Sequence, residues 1–151
     1  MIKENGIIDE YPLVVYPIPF VVVVGDIEKE VNSRYKPVED KYNWISKPRE
    51  ACAASTYTVR SRKDNAHCVL IWYASLADFT SATCTHECNH AALEIFYFVG
   101  ANVTYDNQEP YCYLAGALAR FATMTYRRYE QFINNLKQTE DGEQKTEDSN
   151  T

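Results

Sequence analysis

The chain has 151 residues, 46% of them hydrophobic, and carries a formal net charge of −6. That length and apolar content suit one domain whose core needs no disulfide staple. The acidic balance argues against a nucleic-acid groove or an anionic membrane surface, since both need clustered Lys and Arg. The basic clusters, Arg60 to Lys63 and Arg127-Arg128, read as solvated charges.

The N-terminus, MIKENGIIDEYP, lacks the charged-then-apolar run of a secretory signal, so the expected location is the cytoplasm. Five cysteines (Cys52, Cys68, Cys84, Cys88, Cys112) with no paired CxxC fit a reduced chain with mostly buried thiols. The apolar run from Leu13 to Val24 is broken by Pro17 and Pro19 and is too short to span a bilayer. Its second half, PFVVVV, has the β-branched content of a buried strand, while the prolines restrict the first half to an edge or irregular segment. Gly25 then turns the chain, and Asp26 can cap a short helix, DIEKEVNSRY, with Ile27 and Val31 on one face. Residues 36–50 mix Pro, Lys, Asp and Trp44 without a period and read as a long connection.

Two β-rich runs follow, ASTYTVRS and HCVLIWYAS, joined by the polar turn Arg62-Lys63-Asp64-Asn65 as a hairpin. After Asp78 and Thr80, either of which can cap, SATCTHECNHAALEIFYFVG predicts a helix ended by Gly100. ANVTYDNQ leads to a second helix from about Gln108 to Lys137, with Pro110 tolerated in its first turn. The remainder, QTEDGEQKTEDSNT, is polar and without apolar residues, which predicts a disordered tail over 138–151 and a single domain over 1–137.

Inside the first long helix lies His86-Glu87-Cys88-Asn89-His90, an H-E-x-x-H. Residues four apart on a helix sit one turn above each other, so His86 and His90 can grip one tetrahedral Zn²⁺ through ring nitrogens. Glu87, about 100° round from His86, stands beside such a metal rather than on it, where it can act as general base. The alternative is a chance match on a core helix. At the same 100° step Cys84 and Cys88 turn to the far side, with Ala92, Ile95 and Val99 in the core.

A catalytic zinc needs a third protein ligand. Glu109 is favoured, because it opens the second helix after enough chain to return antiparallel; its plain alternative is a first-turn acid welcomed by the helix dipole. His67 reads more simply as a strand-end histidine, Glu94 as a supporting hydrogen-bond partner, and Asp106 and Asn107 as helix caps. Tyr113, one turn beyond Glu109, is a candidate to orient a ligand or stabilise an oxyanion, with core packing as the alternative.

A helix carrying HECNH, preceded by the strand HCVLIWYAS and followed by a helix opening at Glu109, resembles the zincin metallopeptidases in their gluzincin pattern of two histidines and a downstream glutamate. The stretch from Cys68 to Phe121 also resembles small zincin-like proteins of tailed phages and prophages. The resemblance implies an α+β fold: a small twisted sheet on an active-site helix, with a glutamate-bearing helix behind. It also implies an extended peptide or protein substrate lying along an edge strand, in the Tyr57 to Arg60 or Val69 to Tyr73 region. For a phage-encoded protein it implies the bacterial host cell as location. Leu93 and Phe96 stand where metzincins have Gly and His, which excludes that branch. Pro110-Tyr111-Cys112-Tyr113 replaces the continuation of the thermolysin-type NExxSD helix.

Three functions compete on this reading. The first is a zinc-dependent peptidase with His86, His90 and Glu109 as ligands and Glu87 as base. The second is a non-catalytic, zinc-stabilised accessory or binding protein of a phage or mobile element. The third is a metal-free interaction module. The Glu87 position favours the first, because a structural zinc has no use for it. Oligomeric state and cleavage preference have no sequence signal.

Overall fold

The computed structural model describes residues 1–39, 41–49 and 52–148. Residues 40 and 50 of the predicted connection, and 149–151 of the predicted tail, lie outside the described residues. The architecture is α+β. Its centre is a six-stranded sheet of β1 (Ile2–Lys3), β2 (Gly6–Tyr11), β3 (Phe20–Gly25), β4 (Tyr35–Pro37), β5 (Ala54–Ser61) and β6 (His67–Tyr73), in the order β1-β2-β3-β6-β5-β4. The central pair, β3 and β6, is parallel, and every other neighbour is antiparallel.

The central strands read as unbroken apolar runs because both of their faces are covered. Phe20, Val22, Val24, Val69, Ile71 and Tyr73 face the two long helices, α2 (Ser81–Phe98) and α3 (Gln108–Asp148). Val21, Val23, Cys68, Leu70 and Trp72 face α1 (Glu28–Arg34) and meet Ile27, Val31 and Ile45. Trp72 buries its indole there by donating Nε1–H to the Gly25 carbonyl at 2.9 Å. Gly25 itself has φ 101°, and a side chain at that position would strike the Asn5 backbone.

Several expectations change. The N-terminal GIIDEY forms β2, a strand that the sequence reading passed over because Asp9 and Glu10 interrupt its apolar pattern. Asp9 is buried, and it is held by Arg128 Nη1 at 2.6 Å and Thr125 Oγ1 at 3.1 Å, which fastens β2 to α3. Arg128 is therefore an ion-pair partner rather than a free surface charge. Arg62 likewise donates Nε–H to the carbonyls of Asn32 and Tyr35 at 2.8 and 3.1 Å. Asp26 does not cap α1. Ile27 occupies that position without a side-chain cap, and Asp26 pairs with Lys47 at 2.8 Å. The long connection begins as strand β4, and its later part is pinned to α1 by the buried Asn32 amide, which donates to the Ile45 carbonyl and accepts from its N–H.

The hairpin β5–β6, the Thr80 cap of α2 and the end of that helix at Gly100 (φ 71°) agree with the sequence reading. Thr80 and Thr83 bond each other's backbone N–H reciprocally, a capping box built from two threonines. Val99 is partly exposed rather than in the core. α3 runs past Lys137 to Asp148. No helix among the described residues is long and apolar enough to cross a membrane.

Candidate functional site

α2 lies on the sheet through Cys84, Cys88, Ala91, Ala92 and Ile95, all buried. The alanines let the helix approach closely, and that contact fixes its rotation. His86 and His90 then face away from the core, at the surface of a cleft beside β5. Their Nε2 atoms converge to 3.1 Å, with ring centroids 4.7 Å apart. Two nitrogen ligands of one tetrahedral Zn²⁺, at bonds of about 2.05 Å, stand roughly 3.3 Å apart. The pair thus fits two corners of such a site without rearrangement.

Glu87 follows His86 round the helix toward β5 and is only 8% exposed. A buried carboxylate needs a donor, and Thr56 supplies it: its hydroxyl lies 2.6 Å from Glu87 Oε2 and 3.2 Å from the Glu87 carbonyl. Two residues along the strand and on the same face, Thr58 donates to Glu94 Oε2 at 3.1 Å. The alternating threonines of ASTYTVRS therefore line the floor of the cleft. Ala54, Thr56, Thr58, Glu87, His90 and Glu94 enclose about 310 Å³ of it. An adjoining hollow of about 370 Å³ includes Cys52, Ala53, His86 and Glu87.

β4 pairs with β5 only at Val59, Arg60 and Ser61. The outer edge of β5 from Ala54 to Thr58 has no strand partner among the described residues, and it borders the cleft. β6 lies between β3 and β5 and has no free edge.

The remaining predicted site residues are dispersed. Glu109 stands exposed in the first turn of α3. That turn reaches α2 through Tyr111, whose hydroxyl donates to Asn89 Oδ1 at 2.7 Å, one residue before His90. Burial raises the Tyr111 pKa, which keeps the phenol a donor. Tyr113, 75% exposed, borders a separate apolar groove with Leu13, Val14, Val15 and Pro110. Asp106 lies in a 3-10 turn whose start is capped by Asn107 through Thr104. His67 packs against Phe98 with ring centroids 5.2 Å apart and planes tilted by 41°, beyond the far end of the cleft. Among the described residues, no three His, Cys, Asp or Glu side chains converge on one point.

The sequence reading did not single out Thr56, Thr58 or Tyr111. Alternating threonines on a predicted strand were a visible signal for the first two, but their partners on α2 depend on how the helix is rotated over the sheet. Searches against protein-family models, curated proteins and solved structures find nothing that matches this chain.

Proposed function

We propose that the protein is a metal-dependent peptidase of the zincin type, in which His86 and His90 hold a divalent zinc ion and Glu87 moves the proton. The observation that carries this reading is the convergence of the two imidazole Nε2 atoms at 3.1 Å beside a buried carboxylate.

A zinc ion at this position supplies Lewis acidity toward water and a substrate carbonyl. The chain's own residues do the rest. Thr56 engages Oε2 and holds the Glu87 side chain in one orientation, which leaves Oε1 for a water proton. Glu87 takes that proton as water attacks the peptide carbonyl and returns it to the departing amine nitrogen. The unpaired edge of β5 from Ala54 to Thr58 offers backbone groups to an extended peptide, so the substrate adds a strand alongside Glu87 and His90. Glu109 is the proposed third ligand, carried by an α3 first turn already tethered at Asn89; Tyr113 is proposed as a group that orients the substrate or an oxyanion.

Elemental analysis of purified wild type, Glu87→Gln and Glu109→Ala tests the reading. One zinc per chain in the first two, with sharp weakening in the third, is the expected result. Absence of zinc from the wild type after reconstitution overturns it. Retention of full affinity in Glu109→Ala transfers the third-ligand role to another residue.

A further inference from the structure

The open edge of β5 ends where β4 begins. Pro37 already pairs with Val59, so a peptide laid along Ala54 to Thr58 meets β4 at the level of Thr58. Side chains opposite each other on paired strands share a face of the sheet. The peptide residue opposite Thr56 therefore stands by Glu87, and the one opposite Thr58, about 7 Å farther along, stands by Glu94. That second residue is the last on this face before β4 takes the edge.

At this position the cleft opens into a larger hollow of about 640 Å³. Thr58 and Glu94 line both spaces, so the two are continuous. Tyr42, Tyr97 and Phe98 border the hollow, and all three rings are exposed. Exposed aromatic rings gathered round one concavity mark a binding surface. The acidic side chains lining it are Glu39 and Glu94; among the described residues no Lys or Arg lines it, and Arg60, two beyond Thr58 on β5, stands outside. Glu39 is already paired with Lys41 at 2.8 Å, and the same ammonium lies 4.8 Å from the centre of the Tyr42 ring. The rim thus holds one cation between a carboxylate and an aromatic face. Glu94 has the same kind of neighbours and no ion-pair partner among the described residues; Thr58 donates to its Oε2 at 3.1 Å.

We propose that this hollow selects a Lys or Arg side chain of the substrate peptide, with Glu94 as the specificity-determining residue. The proposal rests on the peptidase reading for the path of the peptide along β5, and it names the class of peptide selected there. The aliphatic stem of a basic residue covers the exposed rings of Tyr97 and Phe98, and its charged end meets Glu94. An acidic side chain at this position is repelled, and a short neutral one leaves both the rings and the carboxylate uncovered. Because β4 closes the edge beyond Thr58, the preference is confined to a single peptide position.

The probes are end-blocked pentapeptides, matching the five open residues of β5, randomised at every position. They are passed over the immobilised full chain carrying Glu87→Gln, in high salt that screens bulk attraction to an acidic protein, and the retained peptides are sequenced by mass spectrometry. Lys and Arg are expected to be enriched about tenfold over Gln at one position. Adding Glu94→Gln, which keeps the bond with Thr58, removes that enrichment while peptide is still retained. Adding Glu94→Lys shifts the preference at the same position to Asp and Glu. Circular dichroism verifies that each variant is folded. Retention of no peptide, equal enrichment of basic residues at every position, or a preference that survives Glu94→Gln overturns the inference. Zinc content and hydrolysis are read separately on the wild type: their absence defeats the peptidase reading and leaves the retention result standing, whereas hydrolysis without a basic preference defeats this inference alone.

Discussion

The two faces of α2 solve opposite problems with one helix. The inner face, Cys84, Cys88, Ala91, Ala92 and Ile95, is buried against the sheet and decides where the helix sits. The outer face bears His86, His90 and Leu93, with Leu93 left 48% exposed. Its polar groups owe their geometry to packing on the other side. Glu87 lies at the boundary, close enough to the sheet to be buried and close enough to the cleft to meet solvent. The comparison teaches that the residues of the proposed site are held in place by neighbours packed in the core.

Four substitutions test this division. On the chemical side, Glu87→Gln keeps the shape of the side chain and removes its basicity; peptide hydrolysis is expected to fall by about 10²–10⁴-fold. Equal rates in variant and wild type contradict the assignment of Glu87 as base. On the packing side, Ile95→Ala deletes a fully buried side chain and is expected to cost about 2–5 kcal/mol by urea denaturation. A smaller loss than that at the boundary would mean that Ile95 does not anchor the helix.

At the boundary itself, Thr56→Val removes the donor to a buried carboxylate. The expected stability loss is about 1–2 kcal/mol, together with a lower rate, since the Glu87 rotamer is no longer fixed. The double variant with Glu87→Gln shows less than the sum of the two losses, which a thermodynamic cycle reads directly. On the exposed side, Leu93→Ser should change stability by no more than about 0.5 kcal/mol. A larger change would show that the outer face is covered in solution.

The H-E-x-x-H spacing, the Thr80 start and Gly100 end of its helix, the β5–β6 hairpin and the buried character of PFVVVV were all legible in the sequence. Each depends on residues within a turn or two of one another, so local periodicity and cap chemistry carry the signal. β2 was not legible. Asp9 is tolerated in a strand because Arg128 and Thr125 meet it from α3, and those residues are more than a hundred positions away in the chain. At Asp26 the helix starts one residue later than the local pattern predicts, with Ile27 at the cap, and the carboxylate pairs with the distant Lys47 instead.

By itself, the sequence determined that two imidazoles and a carboxylate would share one helix, since a period of 3.6 residues allows nothing else for His86, Glu87 and His90. Only the tertiary structure decided which way that helix was turned. Burial of Ala91, Ala92 and Ile95 against the sheet set the rotation and delivered Glu87 to Thr56. These pairings join segments far apart in sequence. Their energy comes from apolar surface removed from water at the helix–sheet contact, and no window of neighbouring residues contains it.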